Sequence, residues 1–146
     1  MKKFELTSEF VTFLGKKLFR IKALVSFGDV KEGELGGLVE KEENLDQSGN
    51  AWVYGDARVY GDAWVSGDAR VQNCRDYSAT SCFGSENRTT TFFRTKDGGI
   101  SVRCGCFYGT LNEFREKVKE RHGDSRLAKE YLMLADLMEF RLSKDE

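Results

Sequence analysis

Four consecutive hexapeptides occupy residues 50–73, and no other part of the sequence constrains the fold as strongly. They read NAWVYG, DARVYG, DAWVSG and DARVQN. Each unit places an alanine two residues before a valine, and a glycine followed by Asp or Asn separates successive units. A strict six-residue period of this kind is typical of a short β-solenoid, in which every unit contributes one short strand and one corner. The repeat therefore predicts an architecture, and by itself it predicts no activity.

Alternation along each short strand assigns the repeat side chains to two faces. The alanine and valine columns are expected to point inward, and the residues between them outward. If three units close one coil, residues three units apart stack, so Arg70 is expected over Trp52. The same register extended backward puts Arg58 over Glu40, as an exposed ion pair.

The repeat region is short for a stacked-repeat fold, which usually needs ~3 or more units with capped ends. The chain on either side is therefore expected to cover the ends of the repeats. Large aromatic residues on the outward faces are of the kind enriched at protein interfaces. We predict a homo-oligomer whose interface is formed by four of these residues, Trp52, Tyr54, Tyr60 and Trp64.

The segment before the regular repeats predicts an N-terminal cap. Within residues 1–29, apolar and polar residues alternate on both sides of a Gly15-Lys16 turn, which indicates a β-hairpin. The repeat region is assigned to residues 30–73, and in its degenerate first part Gly36 and Gly37 are expected at a corner. The predicted order is thus a hairpin cap followed by a short solenoid.

Residues 74–146 predict a ββαα module. The runs TTTFFRT and ISVRCGCF are rich in β-branched and aromatic residues, and they indicate a second hairpin. A capping box formed by Thr110 and Glu113 opens a helix, and an apolar stripe from Arg126 to about Leu142 indicates another. The predicted fold class is therefore mainly β with an α+β C-terminal part.

Charge and composition exclude several broad classes of function. The chain has 23 Lys and Arg against 24 Asp and Glu, so no global field attracts nucleic acid or an anionic membrane. The N-terminal segment lacks the apolar stretch of a signal peptide, and no window of the sequence approaches a membrane span. We therefore expect a cytoplasmic protein with reduced cysteines and no membrane partner.

The single histidine is the only candidate for a general base of the acyltransferase kind. His122 lies outside the repeats, on the apolar stripe of the first predicted helix with Leu111, Phe114 and Val118. A histidine at a helix end more often caps carbonyl groups or fills the edge of a core than it acts as a base. The catalytic alternative, with His122 or Cys106, stays open.

The cysteines are spaced poorly for a metal site. Their spacing is C-x7-C and C-x-C, without the paired CxxC knuckles of zinc modules. Small buried residues on strands are the expected reading. The metal alternative would use Cys74, Cys82, Cys104 and Cys106.

The turn before the first helix is a candidate anion site. Gly105 and Gly109 permit a close backbone approach, and the free N–H groups that follow Thr110 could donate hydrogen bonds to a phosphate or carboxylate. Basic residues that could assist are Arg88, Arg94, Lys96 and Arg103, with His122 at the far end of the helix. The same basic hairpin, with Phe92 or Phe93, provides an alternative in which single-stranded nucleic acid stacks on an aromatic ring.

Residues 20–73 resemble a family of hexapeptide-repeat proteins encoded by bacteriophages and prophages. The segment GCFYGTLNEFREKVKERHGD is similar to a C-terminal module that accompanies such repeats. The resemblance implies a left-handed parallel β-helix with three hexapeptides in each coil, and it favours a homotrimer. It also implies a small non-enzymatic accessory protein in the cytoplasm of the host cell, and it carries over no catalytic residue.

The leading interpretation is a non-enzymatic, phage-derived binding and assembly protein that oligomerises through its solenoid and needs no cofactor. Its expected partner is a host protein or a small anionic ligand, with nucleotides among the candidates, as in a factor that counters a host defence. The alternatives are a degenerate hexapeptide acyltransferase and a single-stranded nucleic-acid binder.

Overall fold

The computed structural model describes residues 2–83, 88–104 and 107–143 of the chain. Strands extend as far as Thr110 and two helices follow, which confirms a mainly β chain with a helical C-terminal part. The strands are β1 (Phe4–Phe13), β2 (Lys16–Ala23), β3 (Leu35–Val39), β4 (Trp52–Val53), β5 (Arg58–Val59), β6 (Arg70–Val71), β7 (Tyr77–Phe83), β8 (Arg88–Arg94), β9 (Ile100–Cys104) and β10 (Phe107–Thr110). The helices are α1 (Leu111–His122) and α2 (Arg126–Leu142).

The predicted N-terminal hairpin is present as β1 and β2. Its turn residues are Leu14 and Gly15, with φ angles of 53° and 79°, so the turn lies one residue earlier than expected. Two consecutive residues with positive φ are the mark of the tight turn that suits the twist of a hairpin. β2 also pairs antiparallel with β3, which attaches the hairpin to the start of the repeat region.

The repeats pair in parallel. Trp52 is opposite Arg70 and Val53 is opposite Val71, as expected for residues three units apart. In the preceding parallel pair, Arg58 is opposite Leu38, so the predicted Arg58–Glu40 stacking and ion pair are wrong. The pairs Leu38–Arg58 and Leu45–Val65 are each separated by 20 residues, against 18 for Trp52–Arg70, so the two additional residues lie between Leu45 and Trp52, after a short 3₁₀ helix at Glu42–Asn44.

Two glycines lie inside β3, and they are not at the corner that their sequence suggests. A Cβ atom on Gly37 would lie 2.5 Å from Val53 Cγ1 and 2.7 Å from the Ala57 carbonyl oxygen. A Cβ atom on Gly36 would lie 2.6 Å from the Trp52 ring. Glycine is therefore used here because β3 closely approaches the segment around Trp52, Val53 and Ala57.

The described residues of the C-terminal part form four strands, so the expectation of only two was wrong. They form an antiparallel sheet in the order β10-β9-β8-β7. Phe92 and Val102 point to the helices, whereas the neighbouring Phe93 packs into the core formed by the hairpin and the repeats. This sheet therefore separates two apolar cores.

Both helices begin at capping residues, and the first of them begins at the predicted capping box. The Thr110 hydroxyl accepts from the Glu113 backbone N–H, and the Glu113 carboxylate accepts from the Thr110 N–H at 2.8 Å. The Ser125 hydroxyl caps α2 by accepting from the Ala128 N–H at 3.2 Å. These contacts satisfy backbone donors that each helix start would otherwise leave open.

A buried lysine joins the N-terminus to the repeats. Lys3 Nζ donates to the carbonyl oxygens of Ala51 at 2.8 Å, Gly49 at 3.3 Å and Ser48 at 3.4 Å. It also lies 4.8 Å from the centre of the Phe27 ring. Burial lowers the pKa of Lys3 from 10.5 to about 8, and Asp46 opposes this shift in part.

We expect the free energy of unfolding to rise as pH increases from about 8 to about 10.5. In this range the unfolded chain still protonates Lys3, whereas the folded chain has lost that proton, so raising the pH favours the folded state. The full effect is at most about 3 kcal/mol. Urea unfolding of the wild type and of Lys3→Met at several pH values measures it. The difference between the two proteins should change with pH, and a constant difference would contradict the assignment.

Candidate functional site

The predicted oligomer interface is largely occupied within the chain. Trp52 is fully buried, so its predicted position on an exposed face is wrong. Its ring packs against Phe4 and Phe27, with ring centres 6.3 and 5.3 Å away. The N-terminal hairpin and the loop after it therefore cover the outer face of this repeat unit.

Tyr54 is half-buried and hydrogen bonded. Its hydroxyl donates to Asp29 Oδ1 at 3.0 Å, and the Arg70 guanidinium lies 5.3 Å from the ring centre and 3.1 Å from Asp29 Oδ2. Burial and then the hydrogen bond to Asp29 raise the pKa of Tyr54 to about 12. The same hydrogen bond lowers the pKa of Asp29. This cluster attaches the loop at Asp29 to the last repeat.

Tyr60 and Trp64 also have partners within the chain. The Tyr60 ring packs edge-on against Phe13 at 5.3 Å. The Arg103 guanidinium lies 3.6 Å from the centre of the Trp64 ring, and the Trp64 backbone N–H donates to Thr91 Oγ1 at 3.0 Å. Self-association through the outer faces of the repeats stays a prediction, but Trp52 is not available for it in this structure.

The basic residues of the predicted anion site do not converge. Arg94 binds Asp76 and the carbonyl oxygens of Leu142 and Ser143 at the end of α2. Arg103 contacts the repeats on the opposite face of the sheet. Lys96 is exposed at the turn after β8, and the Arg88 side chain and Gly105 lie outside the described residues.

The start of α1 faces a cleft whose charge disfavours an anion. This cleft has a volume of about 710 Å³ and is bordered by the carboxylates of Asp68, Asp97 and Glu139. The one arginine among its described lining residues, Arg115, already binds Asp136 at 2.8 Å and Glu139 at 2.6 Å. Gly109 and Thr110 therefore act in capping, and the phosphate site predicted around them lacks electrostatic support.

His122 and the cysteines contribute to packing where they are described. The His122 ring stacks on Tyr131 of α2, with ring centres 5.8 Å apart, as expected for a residue at the core edge. Cys104 Sγ accepts a hydrogen bond from Thr90 Oγ1 at 3.2 Å, whereas Cys74 is exposed, contrary to its predicted burial. The Cys82 side chain and Cys106 lie outside the described residues. Within the described ranges, no three His, Cys, Asp or Glu side chains form a group that could hold a metal ion.

The two aromatic rings that the nucleic-acid alternative requires are not exposed to solvent. Phe92 and Phe93 are both fully buried, one beneath the helices and the other against the repeats. Base stacking requires an accessible ring face. The prediction that one of these rings could stack a base is therefore wrong.

A different cleft brings together residues that are distant in the sequence. It has a volume of about 620 Å³, within the range of pockets for small molecules. The hairpin, the repeats, β7, β8 and α2 all contribute to its walls. The side chains that define its chemistry are Phe13, Arg58, Tyr60, Cys74, Tyr77 and Arg141.

The two arginines of this cleft are oriented by neutral partners. The Arg58 guanidinium lies 4.8 Å from the centre of the Phe13 ring. Arg141 Nε donates to Ser78 Oγ at 3.0 Å, which leaves its two terminal nitrogens for another acceptor. Among the described lining residues, Asp62 is the only carboxylate, and it binds Lys41 at 3.0 Å. Within its described lining, the cleft thus carries two guanidinium charges that no carboxylate neutralises.

Tyrosine adds a polar group beside these charges. Burial is the main cause that raises the pKa of Tyr77, so its hydroxyl keeps its proton at neutral pH. A protonated hydroxyl can donate a hydrogen bond to a ligand oxygen. Sequence reasoning selected Tyr60 and Cys74 for other roles and missed Arg58 and Arg141, because no local motif connects them.

Comparisons of the chain with protein-family models and with curated proteins find no match. The assignment of the site therefore rests on its geometry and charge. Neither described helix has both the length and the apolar character that are needed to cross a membrane.

Proposed function

We propose that this protein binds a small anionic ligand with a planar ring, such as a nucleotide, in the cleft between Arg58 and Arg141. The observation that carries the proposal is the pair of arginines without a carboxylate partner, which face one cleft from two parts of the chain. Arginine is well suited to phosphate and carboxylate groups because its planar fork can donate two hydrogen bonds at once. The aromatic rings of Phe13, Tyr60 and Tyr77 supply apolar surface for the rest of the ligand.

The proposed function is binding without turnover. The only carboxylate in the described lining, Asp62, is already paired with Lys41. His122 is stacked on Tyr131 and does not belong to this cleft. A hydrolase or transferase mechanism would need a general base close to the ligand, and the described lining offers no unpaired one.

We further propose that residues 30–73 form a short β-solenoid, which holds Arg58 and Tyr60 on an outer face. The parallel pairs at Trp52–Arg70 and Leu38–Arg58 support this arrangement. A left-handed coil, and a role in sequestering a host nucleotide or blocking a host protein, are expectations from the resemblance to phage hexapeptide-repeat proteins. The solenoid would act as a rigid wall for the cleft.

The proposal is tested by calorimetric titration with AMP, adenosine and inorganic phosphate. AMP should bind more tightly than either fragment, because it engages both the arginines and the rings. Arg58→Gln should weaken AMP binding by about 10-fold or more, the usual worth of a hydrogen bond to a charged group. Arg121→Gln removes an equal charge from an exposed position outside the cleft, and it should bind AMP like the wild type.

Two results would oppose the proposal. One is equal AMP affinity in Arg58→Gln and the wild type, and the other is the absence of binding for all three probes. Chromatography of the recovered AMP checks for turnover. Conversion of AMP to another compound would support the enzymatic alternative.

A further inference from the structure

The second helix has two apolar faces, and only one of them is buried. Ala135, Met138 and Leu142 pack into the core beneath the sheet. On the other side Met133, Leu137 and Phe140 are 70%, 56% and 83% exposed. Residues spaced by four and then three positions lie along one line of a helix, so these side chains form a continuous stripe. We call Met133, Leu137 and Phe140 the α2 stripe.

Charged residues flank the α2 stripe in a pattern that fits a second helix. At 100° per residue, Glu130 and Arg141 lie on one side of the stripe, and Lys129 and Asp136 lie on the other. In an antiparallel pair related by a twofold axis, each side of one α2 helix faces the same side of the second α2 helix, which runs in the opposite direction. Lys129 then faces Asp136 of the second copy, and their opposite charges favour this arrangement.

Arg126 decides between the two possible orientations. It is exposed and lies on the centre line of the stripe, about two helical turns before Met133. A parallel pairing would place Arg126 next to Arg126 of the second copy, and the two like charges would repel each other. An antiparallel pairing instead brings it near Phe140 of the second copy, where a guanidinium can lie over the ring.

We propose that the α2 stripe is the interface of an antiparallel homodimer. This interface is separate from the outer faces of the repeats, and it does not depend on the ligand-binding proposal. Each exposed side chain contributes on the order of 100–150 Å² of contact, so the interface lies at the small, transient end of the observed range. We therefore expect a dissociation constant on the order of 10 μM, which is typical of weak association.

Sedimentation equilibrium of the full chain tests the dimer, over a concentration range of about 1 to 300 μM that includes the expected dissociation constant. The wild-type mass should rise from the 16.6 kDa of one chain towards twice that value. Leu137→Asp should raise the dissociation constant at least ~10-fold, because it puts a charge in the centre of the stripe. Leu14→Asp is the matched control, because Leu14 is 76% exposed at the hairpin turn, and it should dimerise like the wild type.

A wild type that stays monomeric at 300 μM, or a Leu137→Asp variant that dimerises normally, would overturn the proposal. A trimer that Leu137→Asp leaves intact would instead favour association through the repeats. The orientation is tested with Lys129→Glu, which should weaken the dimer. Adding Asp136→Lys should restore it relative to either single variant, because the reversed charges again meet across the twofold axis; the Asp136→Lys single variant controls for the loss of the ion pair with Arg115, and a double variant weaker than both single variants would rule out the antiparallel arrangement.

Discussion

Replacement of Trp52 by alanine is expected to lower the free energy of unfolding by about 3–5 kcal/mol, the usual cost of removing a buried aromatic residue. Trp52 is fully buried, and it contacts Phe4 of the hairpin and Phe27 of the following loop. The substitution would open a cavity between the N-terminal cap and the repeats, and both elements contribute to its walls. Urea unfolding followed by circular dichroism measures the loss.

Two control variants separate a core role from an interface role. Trp64→Ala removes the other tryptophan, which is only half-buried beneath Arg103, so it should cost clearly less stability. Trp52→Phe keeps an aromatic ring and removes an indole N–H that has no hydrogen-bond partner within the described residues, so it should cost less than Trp52→Ala. The measurement is repeated at about 2 μM and about 200 μM protein, which lie below and above a weak dissociation constant on the order of 10 μM. A stability loss for Trp52→Ala that appears only at the higher concentration would show that Trp52 acts between chains.

The sequence predicts well those features that depend on neighbours in the chain. The alanine and valine columns of the repeats are buried, because alternation along a strand is a local property. The cap formed by Thr110 and Glu113 is recognisable for the same reason, since all its groups lie within four residues. The pairing of Trp52 with Arg70 follows from the period of the repeat.

Features that depend on distant packing are not readable from the repeat pattern. Trp52 and Trp64 occupy the same position in their hexapeptides, yet the hairpin covers the first and the C-terminal sheet contacts the second through Arg103. β7 and β10 were missed because small residues interrupt their apolar pattern, and their pairing partners give them their strand structure. The six-residue period alone does not specify which outer face of the repeats another element covers.

The candidate cleft shows the same limit more strongly. Arg58 belongs to the second regular repeat, and Arg141 belongs to the last turn of α2. They border one cleft only because the sheet packs between the repeats and the helices. The sequence groups two basic residues together, Arg94 and Arg103. They lie on opposite faces of that sheet, because side chains along a strand alternate between its two faces.

Replacement of Asp76 by alanine is the second change for which we expect a large loss, of about 3–5 kcal/mol, as found when one partner of a buried ion pair is removed. Asp76 Oδ1 accepts from Arg94 Nη1 at 3.0 Å, and Oδ2 accepts from the Gln72 backbone N–H at 2.8 Å. The carboxylate is buried where the last repeat enters the C-terminal sheet. Its removal would leave a largely buried guanidinium without its countercharge and the backbone N–H groups of Gln72 and Asn73 without this acceptor.

Arg94 extends the effect of this substitution to the helices. It donates from Nη2 to the Ser143 carbonyl oxygen at 3.1 Å and from Nε to that of Leu142, so it holds the end of α2 against the sheet. Hydrogen exchange of Asp76→Ala should therefore accelerate in the last turn of α2 more than in α1. Asp76→Asn keeps two acceptor lone pairs but loses the charge, and it should fall between the wild type and Asp76→Ala in stability.

A double substitution separates the ion pair from the rest of the network. Arg94→Met by itself leaves the Asp76 carboxylate buried without its cation, so it should be strongly destabilising as well. If the two residues act mainly on each other, Asp76→Asn combined with Arg94→Met should cost clearly less than the sum of the single losses, by about 1–3 kcal/mol. Additive losses would mean that Asp76 stabilises the fold through the backbone N–H groups of Gln72 and Asn73 and not through Arg94, and the end of α2 would then keep its wild-type exchange rate in Asp76→Ala.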